Sequence, residues 1–304
     1  MAPSPGDFAT IGFIGLGVMG SAQCANLVRR SGLPVRVFDT DPAKVSSLVE
    51  QGATAASSVA EIAQACDVIL LSLPGRPQVD AVVRGDDGLL ARLRPGQLVI
   101  DLSTSPVELV QQLSTALAAV GAVYVDAPVA RTRQAAIDGT LSIMVGADDP
   151  ATFARVEPLL RHMASDVTHC GPVGAGALVK VLNNMVVFET VVALSEAISV
   201  ARASGLVDPE VLFETFAAGS AASFALSHHG QKALLPDDHP TGVFSTDYMQ
   251  KDVSYALEAG AAAGVDMPAA RLAHDLLGRA SARGFGANYH TAVVRVIEAG
   301  EDQA

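Results

Sequence analysis

Three groups of residues stand at spacings that chemistry can use. Gly15-Leu16-Gly17-Val18-Met19-Gly20 is a G-x-G-x-x-G that follows the apolar run TIGFIG and opens a helical pattern. In that setting Gly15 makes a tight turn, Gly17 lets a pyrophosphate approach the backbone and Gly20 allows close helix packing. The helix N-terminus then faces the phosphates. Asp39 ends the next apolar run, PVRVFD, nineteen residues beyond Gly20, close to the spacing of an acid that accepts ribose hydroxyls. A carboxylate there, with Asp41 beside it, repels a 2′-phosphate, and no base stands at position 40 or 41. NAD is therefore expected over NADP. Leu73, Pro74, Ser103 and Thr104 follow later apolar runs, at strand ends where such ligands sit, though ordinary loop punctuation accounts for them equally well.

The second group is Lys180 and Asn184 in GPVGAGALVKVLNNM. Four residues apart on a helix, they share a face at about 6 Å along the axis. Gly171, Gly174 and Gly176 precede them and permit close approach of a backbone or ligand. Taken alone, this pattern also describes a lysine lying along a helix surface beside an amide. The third group is DAPVARTRQAA, where Arg131 and Arg133 flank Thr132 in a chain of net charge −12. A guanidinium fork suits an oxyanion. Its alternative is to face solvent or pair with Asp138, and periodicity sets the two arginines in different directions, so that at most one reaches a ligand, Arg131 being favoured. Phe224 offers an aromatic wall to a substrate or a core side chain. The histidines are scattered, and the adjacent His228 and His229 cannot mimic an i, i+4 metal pair. Surface or capping roles are expected of them, and no metal site.

These residues need elements to hold them. TIGFIG, PVRVFD, CDVILLSLP, QLVIDLS, AVYVDAP and LSIMVGA read as strands with helical stretches between several of them. That rhythm predicts an α/β fold, a Rossmann-type doubly wound and mostly parallel sheet covered on both faces. After HCGPVGAG the texture becomes helical. One helix from Ala175 to Ser204, ended by Gly205, spans about 45 Å. Further helices carry PEVLFETFAA, DYMQKDVSYALEAGAAAG and MPAARLAHDLLGRASARG. The expected division is a dinucleotide-binding domain over 1–172 and an all-helical second domain over 173–304 that opens with the long helix.

Composition narrows the classes. Half the residues are apolar and 17% are charged, which suits a globular chain with ample core. The acidic balance disfavours nucleic acid and anionic membrane surfaces. The long apolar stretch is interrupted by Lys180, Asn183, Asn184, Glu189 and Glu196, so it does not read as a membrane span. Cys24, Cys66 and Cys170 are widely spaced and odd in number, as in a reducing cytoplasm. The opening MAPSPGDFAT lacks an export pattern and reads as a frayed tail. Helices rich in alanine and valine leave more than one face to bury, which predicts a homodimer or homotetramer.

GFIGLGVMG, DAPV…DGTLSIMVGA, GPVGAGALVKVLNN and KDVSYALEAG occur in one order over nearly the whole chain. In this the sequence resembles the β-hydroxyacid dehydrogenases, a family that includes 3-hydroxyisobutyrate dehydrogenase and tartronate semialdehyde reductase. The resemblance implies an NAD-dependent oxidoreductase acting on a small anionic 3-hydroxy acid or its aldehyde. It implies Lys180 as catalytic acid/base with Asn184 beside it, and Lys251 near cofactor and substrate. A lysine, with an ordinary pKa of about 10.4, suits acid duty unless burial or positive neighbours lower it. Where much of the family has Ser-Gly-Gly after D-x-P-V, this chain has Ala130, Arg131 and Thr132, positions implied to hold the substrate's acid group. A similar Arg-Thr pair occurs in the sulfolactaldehyde reductase branch, which keeps a sulfonate substrate as an alternative, beside an NAD-binding sensor without turnover. Tyr289 stands where the family often has aspartate.

Overall fold

The computed structural model describes residues 8–300 of the 304-residue chain, so the opening tail through Asp7 lies outside the described residues. By its internal contacts the chain forms two compact units, one ending at Lys180 and the other beginning at Val181.

In the first unit the apolar runs become strands β1 (Ile11–Ile14), β2 (Val35–Phe38), β3 (Thr54–Ala55), β4 (Val68–Leu71), β5 (Leu98–Asp101) and β6 (Val123–Asp126). They lie parallel in the order β3-β2-β1-β4-β5-β6. Helices α1 (Val18–Arg30), α2 (Pro42–Val49), α3 (Val59–Ala65), α4 (Arg76–Arg84) and α5 (Val107–Ala119) alternate with them. Strands β1, β4 and β5 are buried at every position because each feeds two cores. Val68 and Leu70 enter one apolar cluster, Ile69 and Leu71 the other. Side chains alternate across a sheet, so a strand covered on both faces must be apolar throughout. The order reverses direction at β1, the place where a doubly wound sheet binds its ligand.

The far edge departs from the parallel pattern. After β7 (Val129–Ala130) and the short α6 (Arg133–Asp138), β8 (Leu141–Gly146) runs antiparallel to β6 and β7. Following α7 (Pro150–Leu160), β9 (Ala164–Gly171) pairs parallel to β8. Sequence reading had not identified β9, because ASDVTHCG is a largely uncovered strand with little apolar alternation.

Helix α8 spans Ala175–Ser204, thirty residues, and Gly205 follows at φ +63°, a left-handed stop that glycine accepts without strain. Its first turns belong to the first unit, where Ala177 joins the core under α5. In the second unit Phe188, Val191 and Ile198 of α8 pack into one apolar cluster. That cluster also takes in side chains from α9 (Pro209–Ala218), a π-helical segment (Leu226–Leu234), α10 (Thr246–Ala262), α11 (Pro268–Ala280) and α12 (Val294–Ala299). Asp208 and Ser245 cap α9 and α10 through their side chains. Among the described residues this unit has no strand, only isolated bridges Thr241–Asn288 and Ser245–Tyr289. Helix α8 is long and apolar enough by composition to cross a membrane, and Phe188, Val191 and Ile198 place part of that apolarity in the protein core. Val186 and Val200 remain exposed.

Candidate active site

The glycine loop between β1 and α1 separates the roles of its three glycines. Gly15 sits at φ +94°, and a Cβ on it would come within 2.3 Å of the Ser72 carbonyl oxygen. A Cβ on Gly20 would meet the Gly15 carbonyl oxygen at 2.1 Å. A Cβ on Gly17 would meet nothing within 4 Å, so the glycine there serves no packing need. It leaves bare backbone at the start of α1, whose first turn carries no acid. An open, unobstructed backbone at a helix N-terminus fits a pyrophosphate. Leu16 is buried, Val18 exposed and Met19 partly buried. Asp39, just past β2, accepts the Leu16 N–H at 2.6 Å and the Asp41 N–H at 2.8 Å, which ties the acid to the loop. These residues fit a dinucleotide. The structure adds a base that reading of positions 40 and 41 missed: Lys44 Nζ lies 3.9 Å from Asp39 and 3.6 Å from Asp41.

The loops after β4 and β5 meet where the Leu73 N–H donates to Ser103 Oγ at 2.9 Å. Pro74 is exposed and Thr104 half-buried beside them. Beneath lies Asp101, 1% exposed, whose carboxylate accepts from the Ser103 N–H, the Ser105 hydroxyl and the Tyr124 hydroxyl, each at 2.9 Å. Burial pushes this carboxyl upward against those bonds, and burial beside Asp101 pushes the Tyr124 phenol well above its usual range.

Asp126, at the carboxyl end of β6, sets the start of α8. Its two oxygens accept the Gly174 N–H at 2.8 Å and the Ala177 N–H at 2.7 Å. The glycines make room: a Cβ on Gly146 would approach Asp126 Oδ1 to 2.2 Å, and one on Gly176 would approach the Met144 carbonyl to 2.3 Å. Burial raises the Asp126 carboxyl to about 6 despite its N–H donors. Lys180 follows one turn beyond Gly176 on this anchored segment and is half-buried. Neither buried acid was assigned a role from sequence, although Asp126 opens the DAPV motif.

In the second unit Asn184 is 7% exposed and donates to Asp252 Oδ2 at 2.7 Å. Lys251 Nζ donates to the other oxygen of Asp252 at 2.7 Å and stands over the rings of Tyr248 and Tyr255. Asp252 is 1% exposed, so one buried carboxylate positions both the amide and the lysine. Sequence reading named the two donors and missed their shared acceptor, which is adjacent to Lys251 in KDVSY.

The substrate-loop residues are arranged differently from expectation. Arg131 has φ +86°, a conformation that suits the glycine much of the family carries there. Its guanidinium donates to the Thr140 carbonyl, Ser165 Oγ and Asp166 Oδ2, so it is held by the β8–β9 edge and not by Asp138. Thr132 caps α6 by accepting the Ala135 N–H, and Ala130 ends β7 half-buried. The histidines correct the expectation of surface or capping roles. His290 is 1% exposed, and His229 Nδ1 is hydrogen-bonded to the Tyr289 hydroxyl. Phe224, 45% exposed, stacks on His228 with centroids 3.9 Å apart.

Comparison with known proteins agrees across both units. Residues 10–171 match the family model for the NAD binding domain of 6-phosphogluconate dehydrogenase. Residues 174–297 match the model for the NAD-binding domain of NADP-dependent 3-hydroxyisobutyrate dehydrogenase. The chain is 35% identical to 2-(hydroxymethyl)glutarate dehydrogenase of Eubacterium barkeri, over 95% of this chain and 94% of that one. It is 37% identical to 3-hydroxyisobutyrate dehydrogenase of Pseudomonas aeruginosa, over 88% and 90%. A structure of Mycobacterium tuberculosis 3-hydroxyisobutyrate dehydrogenase with L-serine superposes with a TM-score of 0.84 at 32% identity, covering 95% of this chain and 99% of that one. Matched in both units and along nearly its whole length, the chain belongs to the NAD-dependent β-hydroxyacid dehydrogenase family, enzymes that act on a CH–OH group.

Proposed function

We propose that this enzyme interconverts a small 3-hydroxy acid and its semialdehyde with NAD, and that Lys180 is the group that takes or returns the hydroxyl proton. Bound nicotinamide supplies the hydride acceptor or donor. The chain's own residues bind and orient the substrate and move the proton. The observation that carries this reading is the anchoring of α8: Asp126 fixes the segment bearing Lys180 to the carboxyl end of β6, the side of a doubly wound sheet on which ligands sit. A proton carrier must be held to a fraction of an ångström, and a doubly bonded buried carboxylate at the helix start supplies that rigidity. Asn184, one turn beyond Lys180, is steadied by Asp252, as is Lys251. These two polar groups suit contact with the substrate hydroxyl and the ligands beside it.

The related proteins name 2-(hydroxymethyl)glutarate and 3-hydroxyisobutyrate, and one structure holds L-serine. All three molecules contain a hydroxymethyl group on the carbon that bears the carboxylate, and that unit is the substrate class proposed here. The Ala130–Thr132 loop is assigned to the acid group, carboxylate or sulfonate. Arg131 reaches that group by exchanging Asp166, with which it now forms an exposed pair of the kind that contributes little to stability. NAD is preferred over NADP on the strength of Asp39. The free cysteines Cys24, Cys66 and Cys170 suit a cytoplasmic setting, and the exposed valines of α8 suit self-association as a homodimer or homotetramer.

The test is a panel of hydroxy acids, including a hydroxysulfonate, followed at the nicotinamide absorbance with wild type and Lys180→Ala. Turnover in the variant should fall by at least about 100-fold, with the Kd for NAD kept within about threefold. Near wild-type turnover in Lys180→Ala would remove the lysine from the mechanism.

A further inference from the structure

The side chains around Tyr289 form a cluster that the proton-transfer chemistry does not use. Phe188 stands one turn beyond Asn184 on α8, and its ring meets His290 edge-on at 5.8 Å. His290 contacts His229 at 4.9 Å and Tyr289 at 4.5 Å between centroids. A second path leads to the same place. Lys251 lies over Tyr248, Tyr248 meets Phe244 at 6.1 Å, and Phe244 meets His290 at 5.9 Å. The cluster is therefore continuous with both polar groups of the second unit, and Phe224 opens it to solvent.

We infer that Tyr289 and His229 form the specificity-determining wall for the substituent on the carbon between hydroxymethyl and carboxylate, and that this wall selects an uncharged substituent over an ammonium or a second carboxylate. The inference rests on the hydroxy-acid reading above. The hydroxyl of Tyr289 and Nδ1 of His229 share one proton-bearing hydrogen bond. Whichever of them donates, the pair is neutral and keeps one donor and one acceptor for a ligand. Burial holds His229 down at about 4 and Tyr289 up at about 12, so the wall carries no charge in any ordinary assay. His290 behind it is fully enclosed, its Nδ1 has no hydrogen-bond partner, and burial keeps the ring neutral. A neutral wall carries no countercharge, and its one donor, one acceptor and ring faces offset only part of the desolvation of a charged substituent. An apolar group on Phe224 and the Tyr289 ring keeps its contact area without that cost.

The experiment compares kcat/KM for 3-hydroxyisobutyrate, whose substituent is methyl, with that for L-serine, whose substituent is ammonium. Wild type should favour the methyl compound by at least about tenfold. His229→Asp keeps an acceptor for the Tyr289 hydroxyl but makes the wall anionic. It should lower the ratio by about tenfold or more, through a fall in the KM for L-serine. His229→Asn keeps the wall neutral and should hold the ratio within about threefold. A His229→Asp ratio within threefold of wild type, or an equal shift in His229→Asn, overturns the assignment. If circular dichroism shows His229→Asp unfolded, Phe224→Asp, at an exposed position, is read by the same criterion. Wild type that oxidises L-serine at least as well as 3-hydroxyisobutyrate defeats the selectivity alone. Wild type that oxidises no hydroxy acid of the panel defeats the underlying functional reading, and this inference with it.

Discussion

Replacing Asp126 with asparagine removes a charge and one acceptor while keeping the side chain's size. In wild type both carboxylate oxygens are in use, on Gly174 and Ala177. The amide has one acceptor oxygen, so one backbone N–H must face an NH₂ group. A buried unsatisfied donor costs about 1–3 kcal/mol, independent of pH. The charge contributes with the opposite sign. Burial raises the carboxyl from an ordinary 3.8 to about 6, so between those values the native state binds more protons than the unfolded chain. Stability from this group is therefore greatest below about pH 4 and falls as pH rises to about 6. At about 1.4 kcal/mol per pH unit, that loss totals about 3 kcal/mol. The amide does not titrate. At pH 4 the native group is a neutral acid whose hydroxyl oxygen, unlike an NH₂ group, can still accept an N–H, so wild type should exceed Asp126→Asn by about 1–3 kcal/mol there, and the gap should close or reverse by pH 7. Urea denaturation at a series of pH values, followed by circular dichroism, measures it, and the difference between the two proteins cancels most other titrating groups. A gap that is flat, or that widens with rising pH, would refute the account of Asp126 as a buried, destabilised carboxylate held by the start of α8.

Other positions carry separate tests. Gly17→Ala adds a methyl into open space, so the melting temperature should change by less than about 2 °C while the Kd for NAD rises at least about tenfold. Gly20→Ala, aimed at the Gly15 carbonyl, should lower both stability and NAD binding. Equal behaviour of the two variants in calorimetry and titration would contradict the division of roles. Wild type should favour NAD over NADP by at least about tenfold in kcat/KM because of Asp39; a tenfold preference for NADPH would show that Lys44 outweighs the acid. Arg131→Gly removes the Asp166 pair and relieves a positive φ. Its melting temperature should stay within about 2 °C of wild type or rise, while KM for the hydroxy acid increases. An unchanged KM would exclude Arg131 from substrate binding.

Much of this protein is written locally. The glycine loop, the acid after β2, the apolar strands and the span of α8 follow from backbone sterics, side-chain alternation and helix periodicity, each a relation between near neighbours. The sequence by itself therefore determined the fold class, the dinucleotide loop and the pairing of Lys180 with Asn184 on one helix face. Tertiary structure decided the partners. Asp126 bonds Gly174 and Ala177 from about fifty residues away, Asp252 gathers Asn184 and Lys251, and Asp166 claims Arg131. His229 and Tyr289, sixty residues apart, are hydrogen-bonded, and His290 is enclosed by rings from four different segments. No pattern of nearby residue types encodes such meetings, because a buried charge or hydroxyl is satisfied by whichever donor the packing brings within about 3 Å, and only the folded chain sets that distance.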